Sequence, residues 1–361
     1  MISFALTEQQ EIACSVVADF ALSVLAPAAR AADEANELPT SIMSPVWDLG
    51  LVQAAADRDA GSSEQPTVQN ALLLEELARG DATAALAIAA PLGFVKAIAE
   101  QGSERQRHDL LPLFLRNQPN YSAIGHVDSG WFNGAGRPMK ALKAENGYRL
   151  SGAKALVPMA AQCSHVLVLA TCDGTDEAFI VPTHEAGVKI SAPRETLGLR
   201  ASAMADIAME NVFVPATMRL GENAGANVQR IIDSSRVALS AILTGLSHAV
   251  FDTTLPYTKE RVVHGEAIAR KQSIAFKLAD MHIALGSMRW MGLKAAAELD
   301  AAPSAQRSAR LAQLFATDAA MRIADEGLQV FGGHGFTRDL PLEMWYRNAR
   351  SLSVLDGLIG A

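Results

Sequence analysis

Aromatic residues make up only 6% of the 361-residue chain, cysteine occurs three times, and 31 Lys and Arg are outnumbered by 39 Asp and Glu. Each shortage excludes something. A formal charge of -8 leaves no basic face for nucleic acid or an anionic membrane, and no basic run interrupts the deficit. Cys14, Cys163 and Cys172 form an odd set without metal-ligand spacing, which predicts buried, reduced thiols and a cytoplasmic protein. His248, His282 and His334 show no metal spacing either. No stretch approaches the roughly 18 consecutive apolar residues of a membrane span, and the N-terminus lacks a basic n-region followed by an apolar one. What the chain does have is apolar bulk. Half of it is hydrophobic and it is long for a single core, so two or three units are expected.

The first of these units, residues 1–118, reads as helical. Thr7 with Gln10 makes a capping box ahead of an Ala-, Val- and Leu-rich pattern that reaches Leu25, where Pro27 is expected to stop it. Helical spacing recurs over 70–78 and 82–101, and Ser103 with Gln106 repeats the capping device before a helix over 108–115. From Asn120 the pattern changes to short alternating segments, at 148–150, 165–171, 178–181 and 207–214, which predicts an antiparallel β domain over 119–222. Residues 223–361 read as long helices joined by short turns, suiting an antiparallel four-helix bundle. Ile231, Val237, Ile242, Leu246 and Val250 form one core stripe, and Ile274, Leu278, Met281 and Leu285 another. A long helical pattern ends at Gly332 and Gly333, and the last helix starts near Pro341.

The stretch from Gln329 to Gly357 carries Gln-x-x-Gly-Gly-x-Gly-aromatic, Pro-x-Glu, Tyr-Arg-x-Ala-Arg and an acidic residue before Gly. This order resembles the C-terminal end of acyl-CoA dehydrogenases. LTEQQ, EELARGDATAALAIAAPLG and GSERQRHDLLP near the N-terminus, with GYRLSGAK and LGLRASAMADIAMENVFVP further on, extend the resemblance across nearly the whole chain. It implies an α+β fold: an N-terminal all-α domain, a middle antiparallel β domain and a C-terminal four-helix bundle. It also implies FAD, an acyl-CoA thioester substrate dehydrogenated between Cα and Cβ, and an electron acceptor such as electron-transfer flavoprotein. In the family the Gln and Gly-Gly meet the ADP half of a neighbouring subunit's FAD; here they are Gln329, Gly332 and Gly333. Arg261 falls at an Arg of the pyrophosphate site, Gln272 on the same cofactor face, and Arg236 at an Arg of the active-site region. Arg261 and Gln272 stand 11 apart and Gln329 and Asp356 27 apart, matching the family's order. Asp356 occupies the place of the catalytic base, on an arm one methylene shorter.

The departures from the family cluster on one side of the site. The Pro- and Gly-rich loop that shapes the acyl pocket is replaced near Ala60 by DRDAGSS. Where the family carries Thr-Glu-Pro-x-x-Gly-Ser-Asp against the flavin, this chain has IGHVDSGWFNGAGR over 124–137, and the family's Trp-Ile-Thr is Ala155-Leu156-Val157. His126 and Trp131 are the candidate substitutes, against a simpler reading as packing. His264 replaces a Phe, either stacking on adenine or packing. The bundle half of the cofactor site is kept and the β half is lost. That pattern suits a heterotetramer with a related, catalytically complete subunit, similar to the family's mixed tetramers for bulky steroid-type thioesters. The alternatives are a homo-oligomeric dehydrogenase with Asp356 as base and a non-catalytic architectural subunit.

Overall fold

The computed structural model describes residues 5–57, 65–129 and 138–355. The loop near Ala60, Trp131 and Asp356 therefore lie outside the described residues. Both expected capping boxes form. The Thr7 amide donates to Gln10 Oε1 at 3.0 Å and the Gln10 amide to Thr7 Oγ1 at 3.2 Å, opening α1 (Glu8–Phe20). Pro27 does not stop this helix. A single wide turn of π type over Ala21–Leu25 leads directly into α2 (Ala26–Ala35), which places Pro27 in the first turn of the renewed helix. There its missing N–H is tolerated, and a π turn is a common way to absorb such a break. The helix ends instead at Asn36, whose φ of 57° is left-handed.

Helices α3 (Thr40–Asp48) and α4 (Leu51–Ala56) follow, then α5 (Pro66–Gly80), α6 (Ala82–Gln101) and α7 (Glu104–Leu110). The start of α5 has no cap of its own. The Asp300 carboxylate, far along the chain, accepts the Thr67 amide at 2.9 Å and the Val68 amide at 3.1 Å, meeting the orphan donors of that first turn. The second capping box, Ser103 with Gln106, opens α7.

The middle region is one sheet with strand order β1-β4-β2-β3-β7-β6, and β5 pairs with β4. Its strands are β1 (Ser122–Gly125), β2 (Lys140–Ala144), β3 (Gly147–Val157), β4 (His165–Cys172), β5 (Thr175–Pro182), β6 (Val188–Ile190) and β7 (Ala205–Pro215). Pairing is mainly antiparallel, as alternation predicts, but β1 runs parallel to β4 from Ser122 against His165. The β3–β7 register slips between Lys154 and Val157. At that bulge Leu156 takes a φ of 54°, unusual for a residue with a branched side chain.

Beyond the sheet lie α8 (Val228–Glu260), a hairpin of β8 (Val262–Val263) and β9 (Glu266–Ala267), then α9 (Gln272–Ala301), α10 (Gln306–Phe331) and α11 (Leu342–Leu352). The four helices are the expected bundle, and Ile231, Val237, Ile242, Leu246, Val250, Leu278, Met281 and Leu285 are all in its core. Among the described residues three helical stretches, Glu8–Ala35, Ala82–Gln101 and Val228–Glu260, are long and apolar enough to cross a membrane by length and composition. In the last two, 72% of the apolar window is buried inside the protein, so packing accounts for their apolarity.

Helix α11 ties the three regions together. Arg347 donates to both oxygens of Asp33 on α2 at 3.1 and 2.7 Å, to Glu343 Oε2 at 2.7 Å and to the Leu197 carbonyl at 2.9 Å. Asn348 Oδ1 accepts the Leu199 amide at 2.7 Å and Ser351 Oγ the Gly198 amide at 3.0 Å. Gly198 must be glycine here, because a Cβ would lie 2.3 Å from the Arg347 carbonyl. Arg30 on α2 completes the junction by ion-pairing with Glu343.

Two expectations follow. Replacing Arg347 with Met strands the buried Asp33 carboxylate and should cost about 3–5 kcal/mol in urea unfolding. Burial raises the Glu343 pKa, yet hydrogen bonds from Arg347 and Arg30 outweigh it and hold the carboxyl below its ordinary 4.5. Glu343 therefore adds stability above pH 4.5 that fades as pH falls through its folded-state value. Melting temperatures of the wild type and Glu343→Gln should differ at pH 7 and converge in acid; a gap independent of pH would disprove this.

Candidate active site

Helices α5, α6 and α8 and the edge of the sheet enclose a cavity of about 120 Å³. Its walls are small. Ala71, Ala89, Ala90, Gly93, Ala123, Ala155 and Ala238 leave the room that larger side chains would fill. The sheet side consists of Ala123, Ile124, His126, Val127, Ala155, Leu156, Val157 and Pro158. No hydroxyl stands among them. The Ala155 amide is spent on the Val127 carbonyl at 2.8 Å, the Leu156 amide on Asp206 Oδ1 at 3.1 Å, and Pro158 has no N–H. The helical side carries the hydroxyls, Thr67, Ser234 and Ser235, with Asn70 and Lys96.

Lys96 went unnoticed in the sequence. Its signal was present, as a lone cation in the otherwise apolar run AAPLGFVKAIA. Burial pushes its pKa down, although Glu100 and Asp300 favour the charged form. Its ammonium donates to Thr67 Oγ1 and lies 3.5 Å from Glu100, which in turn accepts Arg230 Nε at 2.7 Å. This wall is thus held by a chain of ions.

On the sheet side Lys154, only 3% exposed, donates to Asp128 Oδ1 at 2.7 Å and to the His126 carbonyl at 2.9 Å. Burial pushes its pKa down against the pull of Asp128. His126 is pushed down to about 4 by burial first, then by the Lys154 and Arg236 charges, so the imidazole is neutral at physiological pH. With Val127 it also lines a second, more polar cavity of about 190 Å³ beside Asp128, Lys154, Thr171 and Asp176. Arg236, in the turn of α8 that follows Ser235, lies 4.0 Å from Asp233. Asp233 is fully buried and accepts Ser304 Oγ at 3.0 Å and the Ala305 amide at 3.1 Å, fastening the turn before α10.

Asp356 belongs to the residues not described, but its neighbour Leu355 lines the apolar cavity. The five candidate cofactor ligands do come together, at one end of the bundle. Tyr257, one turn before Arg261, stacks on Phe331 with ring centroids 3.9 Å apart, two residues from both Gln329 and Gly333. The Arg261 carbonyl accepts the Ile268 amide across the hairpin that leads to Gln272. Lys277 on α9 pairs with Glu326 on α10. Arg261, Gln272, Gln329, Gly332 and Gly333 are all exposed, far from any core role. Gly332 needs its φ of 60° with ψ of -140°. Gly333 has neither positive φ nor any atom within 4 Å of a built Cβ, so the chain's own packing does not require glycine there. His264 is exposed at the tip of the hairpin with a φ of 53°, so it is not packed into this chain's own core.

The residues at this surface fit the ADP portion of a dinucleotide: a guanidinium for diphosphate, two carboxamides, and glycines that let a backbone approach closely. The described sheet wall offers a flavin ring no hydroxyl, and its Ala155 and Leu156 amides are already engaged.

The acyl-CoA dehydrogenase N-terminal, middle and C-terminal domain models match residues 7–118, 134–212 and 223–359. A probable acyl-CoA dehydrogenase of Bacillus subtilis is 30% identical, with 98% of this chain and 96% of that one covered. The cyclohexane-1-carbonyl-CoA dehydrogenase of Geobacter metallireducens is 29% identical over 98% and 95%. The butyryl-CoA dehydrogenase structure from Megasphaera elsdenii superposes with a TM-score of 0.88 at 26% identity, covering 98% and 96%. With a relative at that identity aligned from end to end, and helices, sheet and bundle in the same order, the chain belongs to the acyl-CoA dehydrogenase family.

Proposed function

We propose that the chain is a subunit of an FAD-dependent dehydrogenase that introduces a double bond between Cα and Cβ of an acyl-CoA thioester. It assembles with a related, catalytically complete subunit, two of each, and passes electrons to an acceptor such as electron-transfer flavoprotein. The observation that carries this reading is the exposed cluster of Arg261, Gln272, Gln329, Gly332 and Gly333, whose second glycine has no use within the chain. A ligand held by these groups lies largely outside this chain, so the rest of its contacts come from a neighbour. When bound, FAD supplies the acceptor for the β hydrogen as hydride. The exposed apolar side chains of α9, Phe276, Ile283 and Trp290, are a further surface suited to a partner. The alanine-walled cavity suits a ring-bearing acyl group, as the Geobacter relative's substrate does.

A second reading, that the chain is architectural and leaves the chemistry to its partner, is favoured by the sheet wall without hydroxyls. Asp356 separates the two. As a base it would take the α proton, and Asp356→Asn removes the acceptor at almost no change in volume. If Asp356 is the base, this variant removes the share of turnover that the partner subunit's own site does not supply, with flavin retained; unchanged turnover assigns the chemistry to the partner.

The assembly itself is tested by co-expression with the related subunit and a flavin count. One FAD per unlike pair is expected, with the chain alone flavin-poor. Gly333→Ala should leave the melting temperature of the chain unaltered and weaken FAD retention, and Arg261→Ala and Gln329→Ala should weaken it as well. A stable homotetramer holding four FAD would sink the heteromeric reading.

A further inference from the structure

The alanine-walled cavity changes character from one end to the other, and three helices change together. On α5 its lining passes from Thr67 and Asn70 to Ala71 and Leu74, and on α6 from Lys96 through Gly93 and Ala89 to Leu86. On α8 it passes from Ser234 and Ser235 to Ala238 and Leu239. Lys96 bonded to Thr67, and Arg230 paired with Glu100, set the start of α5, the end of α6 and the start of α8 side by side, so the polar residues share one end. Hydrogen-bonding capacity is left over there. Lys96 donates to the Thr67 oxygen, so the hydroxyl hydrogen of Thr67 stays available and the ammonium behind it makes it a stronger donor. The Asn70 carboxamide and the Ser234 hydroxyl, both half-buried, have no hydrogen-bond partner among the described residues, whereas Ser235 is spent on the Ile231 carbonyl at 3.2 Å. Charge is not left over. Lys96 and Arg230 are matched by Glu100 and Asp300, so a ligand carboxylate would meet no net positive charge. An uncharged oxygen fits this end, because it can take the Thr67 hydrogen and leave every ion pair in place.

We propose that the acyl group taken by this cavity carries a hydroxyl or keto oxygen separate from the thioester, and that Thr67 and Asn70 hold it, with Lys96 as the positioning residue behind Thr67. The inference rests on the reading of the chain as an acyl-CoA dehydrogenase subunit, and deepens it by naming the substrate class: oxygenated acyl groups rather than pure hydrocarbons. The apolar body of such a group lies against Leu74, Leu86 and Leu239 at the other end. A pure hydrocarbon in the same place strips water from Thr67 and Asn70 and returns no hydrogen bond, and that loss is the source of the discrimination.

The probes are CoA thioethers, which have no thioester carbonyl and resist dehydrogenation: S-cyclohexylmethyl-CoA and its ring analogues with a hydroxyl, a ketone or a carboxylate at C3 or C4. They are titrated calorimetrically into the intact assembly and into assemblies in which this chain alone is altered. At least one hydroxyl or keto probe should bind the wild type roughly three- to tenfold more tightly than the parent, the net worth of one hydrogen bond, and the carboxylate probes no more tightly than the parent. Asn70→Leu, Thr67→Val and Lys96→Met should each cut that preference without weakening the parent probe. Asn70 has no partner within the described chain, so Asn70→Leu should also keep the wild-type melting temperature, which separates a lost contact from a damaged fold. Oxygenated probes that bind the wild type no better than the parent overturn the proposal. So does a preference that survives both Asn70→Leu and Thr67→Val, or a carboxylate probe favoured over all others. If the preference follows these residues while the assembly neither retains FAD nor oxidises any acyl-CoA, the oxygen contact stands and the functional reading fails. If the assembly oxidises acyl-CoA through FAD and does not discriminate among the probes, the functional reading stands and the oxygen contact fails.

Discussion

The guanidinium of Arg347 fastens three regions of the chain to one another. Four acceptors from three regions converge on it: the Asp33 carboxylate on α2, the Leu197 carbonyl beside the sheet and the Glu343 carboxylate on its own helix. Burial makes each of these charges expensive in isolation, and the fork of an arginine can satisfy several at once because its donors lie in one plane. The pairing raises the Arg347 pKa further above its already high ordinary value, even though burial alone would lower it. The cavity is formed between α5, α6, α8 and the sheet, so its shape follows from how these regions are docked. Asp300 at the start of α5, Arg230 with Glu100 between α8 and α6, and Arg289 with Glu75 between α9 and α5 hold those helices, while Arg347 fastens α11 to α2 and to Leu197 outside the cavity.

Local devices were legible in the sequence because their causes are local. The two capping boxes and the run 82–101 need only neighbours a few residues away, and the structure contains them as read. Pro27 was misread because a proline is a stop only when the helix keeps an α register; the wide turn over Ala21–Leu25 changes the register first. The parallel β1–β4 pair, the capping of α5 by Asp300 and the partnership of Arg347 with Asp33 all join residues far apart in sequence, where no periodicity connects them. For the site, the carboxamides, glycines and arginine at the bundle end were legible as a motif, and the fold gathers them. That they are all exposed, and that Gly333 is dispensable to the chain itself, could come only from coordinates.

The two sides of the site have different physical characters. At the end of the bundle, polar groups are presented on rigid helix ends with nothing in front of them, as suits binding across an interface. The cavity is the opposite, with apolar walls, a neutral imidazole, and ion pairs kept to its margins: Lys96 with Glu100 on one side and Lys154 with Asp128 on the other. Such pairs seal a pocket without placing a free charge in it, because each ammonium is matched before any ligand enters.

The position of α11 in the chain also has a consequence for how the protein is made. It is the last described helix in order of synthesis, yet its partners include Arg30 and Asp33, which leave the ribosome more than three hundred residues earlier. During translation the N-terminal helices and the sheet can each gather a core of their own and meet through Gln106, which donates to the Thr217 and Arg219 carbonyls, but the Arg347 clasp waits for α11. Until then Asp33 faces solvent or a chaperone, and the completed arrangement is reached in a late, long-range step.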